Sequence, residues 1–381
     1  RENLHTVHLP TILMKLRDII LIAVFLVAIS LPFGVQLAGN AGGTQANEKR
    51  KLAALPALPK SFGELWKFPG KFTTYYGDNF GLRAKLIRLH ALAMYRIFGM
   101  SPSDKVLSGR DGWLYYADDS SLEDYRSLTP FKVAEMEKWR QVLEARQDWL
   151  AKRGAKLVVV FACDKYVIYP EFLPAAYRRT DIPYRVDELT KYLAKNSKLT
   201  VVALHQPLVA AKSDRLYHRT DTHWNDRGAY IGYREILSAI GQQPLAYAPV
   251  EKQTEGWDLA RMMGLNDIIS EEDRQLQLRE PRRAKIVEID REDPTWNVGR
   301  VALRIDGVLD RPLPKLLMFR DSFGSALVPF LAEHFERSLF LWQYDFDPAI
   351  IEKEKPDVVI WETTSRRFHS TWFEPVNPPL P

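Results

Sequence analysis

A long apolar run lies close to the N-terminus. The segment IILIAVFLVAISLPFGVQLAG, residues 19–39, carries no charge and follows the cations Lys15 and Arg17. About 20 apolar residues are enough for a helix to cross the hydrocarbon core of a membrane. The preceding cations favour a cytoplasmic N-terminal end. The pattern predicts an uncleaved signal anchor, a single transmembrane helix over residues 1–40. A cleaved signal peptide, with small residues at its cleavage site, is the alternative.

Between the anchor and the main repeating pattern, the sequence predicts a tether, two helices and a hairpin. Small, polar and proline-containing residues over 39–61 have the composition of a tether, and we assign the tether to 41–74 and one domain to 75–381. Helical spacing predicts a helix from about residue 82 to 98 and another after Pro130. Between them, residues 106–116 have the Gly and Asp turn chemistry of a hairpin.

Short apolar segments then alternate with helical patterns. The five segments KLVVVFA, LTVVALH, KLLMF, SLFLW and PDVVIW begin at residues 156, 199, 315, 338 and 356, and helical patterns cover 186–196, 226–240, 322–334 and 347–354. Continuously apolar strands separated by helices are typical of a sheet that is buried on both faces. The pattern therefore predicts an α/β fold with a doubly wound parallel sheet. Ligands of such sheets bind beyond the carboxyl ends of the strands.

One interval interrupts the alternation. Residues 249–314 contain RAKIVEID and GRVALRID, which have the pattern of antiparallel strands. We expect this β-rich interval to be an insertion in the sheet, serving as a lid or as a surface for a partner.

Composition and charge narrow the class of function. The formal net charge is +5 and the Lys and Arg residues are scattered among acidic ones, so the sequence gives little support to nucleic-acid binding. Cys163 is the single cysteine, which excludes an intramolecular disulfide and a Cys-rich zinc site. A buried thiol is the expected role of this residue, because no histidine partner for it is evident.

The third apolar segment ends in RDSFGSAL, which contains Ser322. A serine at a strand-to-helix turn exposes its hydroxyl, and its backbone N–H lies where a helix N-terminus can stabilise an oxyanion. Serine is also a common helix N-cap, and Asp321 beside it is a common turn-former. This stretch alone therefore does not distinguish a catalytic serine from a structural one.

The stretch YHRTDTHWNDRGAY provides the groups that a serine nucleophile needs. A serine hydroxyl requires a base within hydrogen-bond reach and a third group that orients the base. His223 and Asp221 are suited to these two roles, and both belong to the edge of the sheet where Ser322 is expected. In a structural alternative, His223 caps the following helix and Asp221 fixes the turn. A metal site is another alternative, with the further candidate ligands His205, His218 and Asp226.

Several of these stretches resemble one known family. TDTHWNDRGAY, followed about a hundred residues later by LLMFRDSFGSALVPFLAEHF, is similar to the SGNH-type fold of the alginate O-acetyltransferase AlgX/AlgJ family, with the Asp and His ahead of the Ser. SGRDGWLYY, DKYVIYPEFLP, WDLARMMGL and PDVVIWETTSRR resemble the same family, so the likeness spans about residues 75–368. It implies that Ser322 takes the acetyl group, that His223 is the general base and acid, and that Asp221 orients His223.

Four further residues are candidates for binding substrate. Lys165 follows the first apolar segment and either faces the cleft or is solvated. Trp224 either stacks on a sugar or packs in the core. Arg320 stands directly before Asp321, where the broader SGNH pattern has a glycine. Arg366 either binds substrate or pairs with Glu362 on the surface.

These expectations combine into one functional hypothesis. The resemblance implies a single-pass inner-membrane protein whose periplasmic domain acetylates hydroxyls of an exported polysaccharide through a serine ester. It further implies a membrane-bound O-acyltransferase as the acetyl donor, and no metal or nucleotide cofactor. An esterase with the same triad is one alternative. A non-catalytic polysaccharide-binding subunit of a secretion complex is another.

Overall fold

A computed structural model describes residues 16–37, 52–118, 120–177, 179, 182–288, 302–307 and 312–369. The helices are α1 Leu16–Leu37, α2 Phe62–Asn79, α3 Arg83–Phe98, α4 Ser121–Arg126, α5 Val133–Ala151, α6 Lys165–Ile168, α7 Arg185–Asn196, α8 His205–Ala210, α9 Asp226–Ile240, α10 Asp258–Met262, α11 Val328–Leu331 and α12 Pro348–Glu354. The strands are β1 Val106–Ser108, β2 Leu114–Tyr116, β3 Lys156–Ala162, β4 Val201–Ala203, β5 Tyr247–Glu255, β6 Ser270–Leu278, β7 Lys285–Glu288, β8 Ala302–Asp306, β9 Lys315–Arg320, β10 Arg337–Trp342 and β11 Val358–Thr364. The chain divides into two compact units, Arg1–Ala93 and Met94–Pro381.

The first unit contains the apolar helix that the sequence predicts. Within the described residues, Leu16–Gln36 is the stretch long and apolar enough to cross a membrane, and none of its most apolar window is buried. Helix α2 lies partly inside the interval assigned to the tether, 41–74, of which residues 41–51 lie outside the described part of the chain. Ser61 begins α2, because its side chain accepts a hydrogen bond from the Glu64 backbone N–H. The larger unit begins at Met94, later than the expected boundary at residue 75.

The second unit is built on a seven-stranded sheet in the order β4-β3-β11-β9-β10-β8-β7. The first five of these strands pair in parallel, in agreement with the doubly wound sheet that the sequence predicts. Helices α5 and α7 pack against each other, and they contact β3 and β4, respectively. Helix α9 contacts both of these strands, and its neighbouring helices are α8 and α11. The middle residues of β3, Val158, Val159 and Val160, are completely buried. Their continuous apolar pattern follows from helices covering the sheet.

The interval 249–314 is only partly an insertion. Strands β5 and β6 form a separate antiparallel pair. Strands β7 and β8 instead belong to the main sheet, because β8 pairs antiparallel with β10 and β7 pairs with β8. The antiparallel strands expected here are therefore present, and they continue the central sheet at one edge. The hairpin of β1 and β2 is also present, with Asp111 and Gly112 in the left-handed conformation at its turn.

The helix expected over 322–334 is broken into short pieces. A 3₁₀ helix, Phe323–Leu327, is followed by α11 and by a second 3₁₀ helix, Ala332–His334. Pro329 lacks a backbone N–H and so cannot donate the bond that a continuous α-helix needs. A glycine is also required within the first piece, because a Cβ on Gly324 would lie 2.7 Å from the Cβ of Arg320 and 2.8 Å from Oε2 of Glu362.

Candidate active site

The turn after β9 presents Ser322, and Asp321 holds this turn in place. One Asp321 carboxylate oxygen accepts from the Phe323 backbone N–H at 2.8 Å, and the other accepts from the Thr364 backbone N–H at 2.9 Å and from the Thr364 hydroxyl. The side chain therefore ties the turn to the end of β11. Asp321 has the turn-forming role expected of it, while Ser322 remains partly exposed.

The loop before α9 presents the other two groups. Tyr217 and Trp224 form an isolated antiparallel bridge, which closes the loop around Asp221 and His223. Asn225 caps α9, because its side-chain oxygen accepts from the backbone N–H groups of Arg227 and Gly228. His223 is consequently free of the capping role that the structural alternative gave to it.

These two segments bring the three expected residues into one chain of hydrogen bonds. Nε2 of His223 lies 2.8 Å from Oγ of Ser322. Nδ1 of His223 lies 2.6 Å from Oδ1 of Asp221, and the same oxygen accepts from the His223 backbone N–H at 2.8 Å. The imidazole is thus oriented from one side and faces the serine hydroxyl with its other nitrogen. Both distances are within hydrogen-bond range.

The electrostatics of the site favour a charged pair of histidine and aspartate. Burial lowers the pKa of His223, but the hydrogen bond to Asp221 and the charges of Asp221 and Asp258 outweigh it, so that this pKa lies above the usual value for histidine. Burial raises the pKa of Asp221, yet the hydrogen bonds and charge of His223 hold it well below the usual range for aspartate. An imidazolium at this position is therefore stabilised.

Trp224 is a core residue, so the prediction that it binds substrate is wrong. Its side chain is buried, and its indole N–H donates to the Phe323 backbone carbonyl at 3.1 Å. A ring enclosed in this way cannot stack on a sugar. The hydrogen bond instead joins the loop that carries His223 to the turn that carries Ser322.

Lys165 is neither solvated nor open to the cleft. Its side chain is buried, and Nζ donates to the backbone carbonyls of His218, Arg219 and Asp221 at 2.9, 3.1 and 2.5 Å. Burial lowers the pKa of Lys165 to about 8, although nearby carboxylates such as Glu271 and Asp221 oppose this shift. The ammonium group therefore links the start of α6, just after β3, to the loop that contains Asp221.

The two arginine candidates are also occupied by contacts within the protein. Arg320 is buried and donates to the Asp321 carbonyl at 3.0 Å and to Oγ of Ser325 at 2.8 Å. Arg366 is buried and forms an ion pair with Asp164. The prediction that these residues bind substrate is wrong, because their guanidinium groups are enclosed beneath the site.

The expected surface position of Arg366 and Glu362 is also wrong, because both side chains are buried. Glu362 is buried and accepts from the Asp321 backbone N–H at 3.1 Å. Burial and the charge of Asp321 raise the pKa of Glu362 well above its usual range. Both side chains are thus buried near the serine turn and are not exposed on a surface helix.

Asp258, at the start of α10, was missed by reasoning from sequence. Its carboxylate oxygens accept from the backbone N–H and the hydroxyl of Thr222 at 2.8 and 2.9 Å, and its own backbone N–H donates to Oδ2 of Asp221 at 3.3 Å. One oxygen lies 4.0 Å from Nδ1 of His223. The stretch WDLARMMGL contained the signal, but it indicated a family likeness without assigning a role to the aspartate.

The histidines proposed as metal ligands have other partners. His205 lies 2.8 Å from Asp187, and His218 lies 3.7 Å from Asp273. Asp226 accepts from the Leu276 backbone N–H at 2.9 Å. Among the described residues, a different group, Asp221, His223 and Asp258, offers ligand atoms within 4.8 Å of one another. Both nitrogens of His223 lie at hydrogen-bond distance from Asp221 and Ser322, and this arrangement fits a proton relay better than a metal centre.

The arrangement has the parts that acyl transfer through serine requires. An alcohol, an imidazole and a carboxylate are connected in that order, and the imidazole side chain is 27% exposed, so the site remains open to a substrate. Cys163, by contrast, is completely buried, and burial raises the pKa of its thiol, as expected for a structural residue.

Part of the chain is similar to known proteins. Residues 106–295 match the family model described as an SGNH hydrolase-like domain, acetyltransferase AlgX, a range that contains Asp221 and His223 and ends before Ser322. The chain is 28% identical over 207 residues to the probable alginate O-acetylase AlgJ of Pseudomonas syringae pv. tomato, covering 51% of this chain and 49% of that protein. It is 26% identical over 218 residues to the probable alginate O-acetylase AlgJ of Pseudomonas aeruginosa, covering 54% of this chain and 52% of that protein.

The chain thus spans about half the length of these two relatives. A solved structure, that of Bacillus cereus PatB1, is similar with a TM-score of 0.51 at 16% sequence identity, covering 70% of this chain and 98% of PatB1. A likeness at this level of identity concerns the fold alone. The matched range and the two sequence relatives show that the chain belongs to the AlgX/AlgJ-like family, and the likeness to PatB1 agrees with its SGNH hydrolase-like α/β fold.

Proposed function

We propose that this protein is an O-acetyltransferase that moves an acetyl group, by way of an ester on Ser322, to hydroxyls of an exported, alginate-like polysaccharide. The observation that carries the proposal is the continuous hydrogen-bonded chain from Asp221 through His223 to Ser322. The names of the relatives, probable alginate O-acetylases, supply the class of acceptor.

The first half-reaction forms the ester. Oγ of Ser322 attacks the carbonyl carbon of the acetyl donor while Nε2 of His223 takes the hydroxyl proton. Asp221 stabilises the resulting imidazolium, and the backbone N–H of Ser322 is our candidate donor to the oxyanion. Collapse of the tetrahedral intermediate breaks the bond to the leaving group, which receives the proton from His223.

The second half-reaction transfers the acetyl group to the sugar. Neutral His223 takes the proton of a sugar hydroxyl, whose oxygen attacks the carbonyl carbon of the ester on Ser322. The bond between the acetyl carbon and Oγ of Ser322 then breaks, and the imidazolium returns its proton to Oγ. Every proton is thus accounted for by one imidazole that alternates between base and acid.

The proposed setting is the periplasmic side of the inner membrane. Helix α1 has the length and apolar composition of a membrane anchor, and cations precede it in the sequence. The proposed acetyl donor is a membrane-bound O-acyltransferase, which would supply the acetyl group close to this anchor. The proposal requires no metal or nucleotide.

The test compares two serines of the same turn. Ser322→Ala is expected to lower the rate of acetyl transfer from an activated acetyl ester to an oligosaccharide by about 10³-fold or more, because it removes the nucleophile. Ser325→Ala is the matched control, since Ser325 is exposed and is not part of the Asp221–His223–Ser322 relay, although its hydroxyl accepts one bond from Arg320. It is expected to retain activity within a few-fold. Mass spectrometry should detect an acetylated peptide containing Ser322.

Two outcomes would contradict the proposal. Acetate release that is the same with and without oligosaccharide would indicate an esterase, with water as the acceptor. Full polymer acetylation by the Ser322→Ala variant would indicate a non-catalytic role in a secretion complex.

A further inference from the structure

Helix α2 has none of its residues buried, although it carries several large apolar side chains. Phe62 and Trp66 are 79% and 83% exposed, and Leu65 and Phe72 are 53% and 42% exposed. A helix on the surface of a soluble domain usually buries its apolar stripe. A contiguous apolar surface on a folded chain marks a place where something else binds.

The four exposed large apolar residues of α2 lie on one side of the helix. Phe62, Leu65, Trp66 and Phe72 follow the helical spacing of three or four residues, or multiples of it. Thr74 and the charged residues Glu64, Lys67 and Lys71 fall on the opposite side by the same geometry. The helix is therefore amphipathic, and its apolar side is rich in aromatic rings.

Positive charge is concentrated around these side chains. Residues 60–93 contain six Lys or Arg residues and two acidic ones, a net charge of +4, whereas the whole chain has a net charge of +5. The part of α3 in the first unit adds the exposed Leu86 and Leu89 next to the cations Lys85 and Arg88. Apolar side chains mixed with long cationic ones suit the surface of an anionic lipid bilayer.

A close backbone approach connects this segment to the proposed membrane anchor. Gly81, at the junction of α2 and α3, lies so near to α1 that a Cβ on it would be 2.2 Å from the Pro32 carbonyl oxygen and 2.8 Å from the Gln36 backbone nitrogen. Pro32 and Gln36 belong to the C-terminal end of α1. The end of a membrane-spanning helix lies at the boundary between lipid and water, so the junction lies at the same level.

We propose that α2 lies in the surface of the bilayer that α1 crosses, with Phe62, Leu65, Trp66 and Phe72 among the lipids and Lys67 and Lys71 directed to anionic headgroups and water. Aromatic rings are favoured at this boundary because one end of the ring can stay hydrated. The bilayer is the occupant that the contact of Gly81 with α1 supports. This inference rests on the proposed membrane anchor.

The test measures the depth of two positions in the full chain. Trp66→Cys and Thr74→Cys place a thiol on the apolar and polar sides of α2, and each receives an environment-sensitive fluorophore. Cys163 is buried, so the unsubstituted chain gives the labelling background. The labelled chains are reconstituted in nanodiscs of phosphatidylglycerol and phosphatidylcholine. Nitroxide-bearing lipids then quench from the membrane, and iodide quenches from water.

The label at residue 66 is expected to be quenched several-fold more by nitroxide lipids than the label at residue 74, with the reverse order for iodide. Strong iodide quenching at both positions would overturn the inference, and so would protection of residue 66 from both quenchers, which would indicate a protein cover. An unchanged signal in pure phosphatidylcholine would overturn the part assigned to anionic headgroups. Flotation of the chain with vesicles tests the anchor separately, so a failure of the α2 inference alone is distinguished from a failure of the anchor on which it rests.

Discussion

The imidazole of His223 lies beside two carboxylates that act on it at different distances. Asp221 is 2.6 Å from Nδ1, and Asp258 is 4.0 Å from the same nitrogen. Asp258 also holds Thr222, the residue between Asp221 and His223, by two hydrogen bonds. Its negative charge contributes to the raised pKa of His223. Asp258 is therefore a positioning residue whose charge should be visible in the pH dependence of the reaction.

Asp258→Asn is expected to move the acid limb of the profile of kcat/KM against pH to lower pH. Proton abstraction from Ser322 needs neutral His223, so activity is lost as the pH falls through the pKa of the imidazole. Burial lowers this pKa, and the Asp221 contacts and the Asp258 charge raise it, so removing that charge lowers it. At a pH above the acid limbs of both proteins, kcat/KM of the variant should be less than about tenfold below that of the unsubstituted protein. Asparagine can still accept one hydrogen bond from Thr222.

The control for this variant is Glu352→Gln. Glu352 is an exposed carboxylate of α12 that pairs with Arg153. Its removal changes the net charge equally but should leave the acid limb in place. An unshifted acid limb in Asp258→Asn would show that Asp258 acts through hydrogen bonds alone.

Lys165→Met should impair the site through the loop of Asp221. The substitution keeps most of the length of the side chain and removes the donors to three backbone carbonyls. Buried acceptors without partners cost about 1–3 kcal/mol each, so the loop is expected to rearrange and kcat/KM to fall by about 10²-fold or more. Lys212→Met is the matched control, because Lys212 is partly exposed, donates to the single backbone carbonyl of Ile168 and pairs with Glu171.

The pH profile separates this positioning role from general destabilisation. Because burial lowers the pKa of Lys165 to about 8, the amine loses its charge above that pH and then has two N–H donors for three carbonyls. Activity of the unsubstituted protein should decline through this range, and the decline should be absent from the residual activity of Lys165→Met. Equal basic limbs in the two proteins would contradict the assignment.

The residues that sequence could and could not assign differ in a physical way. Asp221, His223 and Ser322 could be proposed because a nucleophile, a base and an orienting acid have characteristic side-chain chemistry. The buried positions of Lys165 and Arg366 depend on partners that are distant in sequence and close in the fold. These partners include the carbonyl of Asp221 for Lys165 and the carboxylate of Asp164 for Arg366. A single sequence does not reveal those partners, and a charged side chain near a strand end therefore resembles a substrate contact.

At the scale of elements, the first turn of α9 sets the position of the His223 loop. Gly228 allows this turn to pack closely, because a Cβ there would lie 2.4 Å from the Leu216 carbonyl oxygen and 2.8 Å from the Cβ of Trp224. Both neighbours belong to the segment that contains Asp221 and His223. Backbone atoms cannot move aside as readily as the end of a side chain.

Gly228→Ala is expected to lower the free energy of unfolding by about 1–3 kcal/mol through overpacking, and to reduce acetyl transfer in the same protein. Gly232→Ala in the same helix is the control. The nearest atom to its new Cβ is the end of the Leu204 side chain at 3.2 Å, and alanine favours a helix by about 0.5–1 kcal/mol. Thermal unfolding of the full chain in detergent measures the stability of both variants. Equal unfolding midpoints for Gly228→Ala and Gly232→Ala would contradict the close-packing argument.

The elements differed in how clearly the sequence predicted them. Strands β3, β9 and β11 could be located because burial on both faces leaves a continuous apolar pattern. The break of the expected helix at 322–334 follows from Pro329 and the crowding at Gly324, of which the second depends on tertiary contacts. Helix α2 falls partly inside the predicted tether, because the glycines and polar residues between its apolar side chains hide their helical spacing.

At the scale of the whole molecule, Ser322 and His223 are separated by 99 residues in the chain. The interval between them includes the β5–β6 pair, and its strands β7 and β8 extend the sheet beyond β10. The chain then returns to the middle of the sheet as β9, which places Ser322. Parallel pairing could be inferred from the sequence, but the position of β8 between β10 and β7 could not, because its partner β10 follows it in the chain.

The hydrogen bond from the Trp224 indole to the Phe323 carbonyl bears on how the proposed enzyme would select the polysaccharide that accepts the acetyl group. It joins the turns of His223 and Ser322 inside the core, so the proposed base and nucleophile keep their spacing before the proposed sugar acceptor binds. A site of this kind needs no large rearrangement to become competent, and much of the entropic cost of aligning its groups is met during folding. Discrimination among polymer chains would then depend on the residues that border the opening, and these could diverge between relatives while the chemistry beneath them stayed the same.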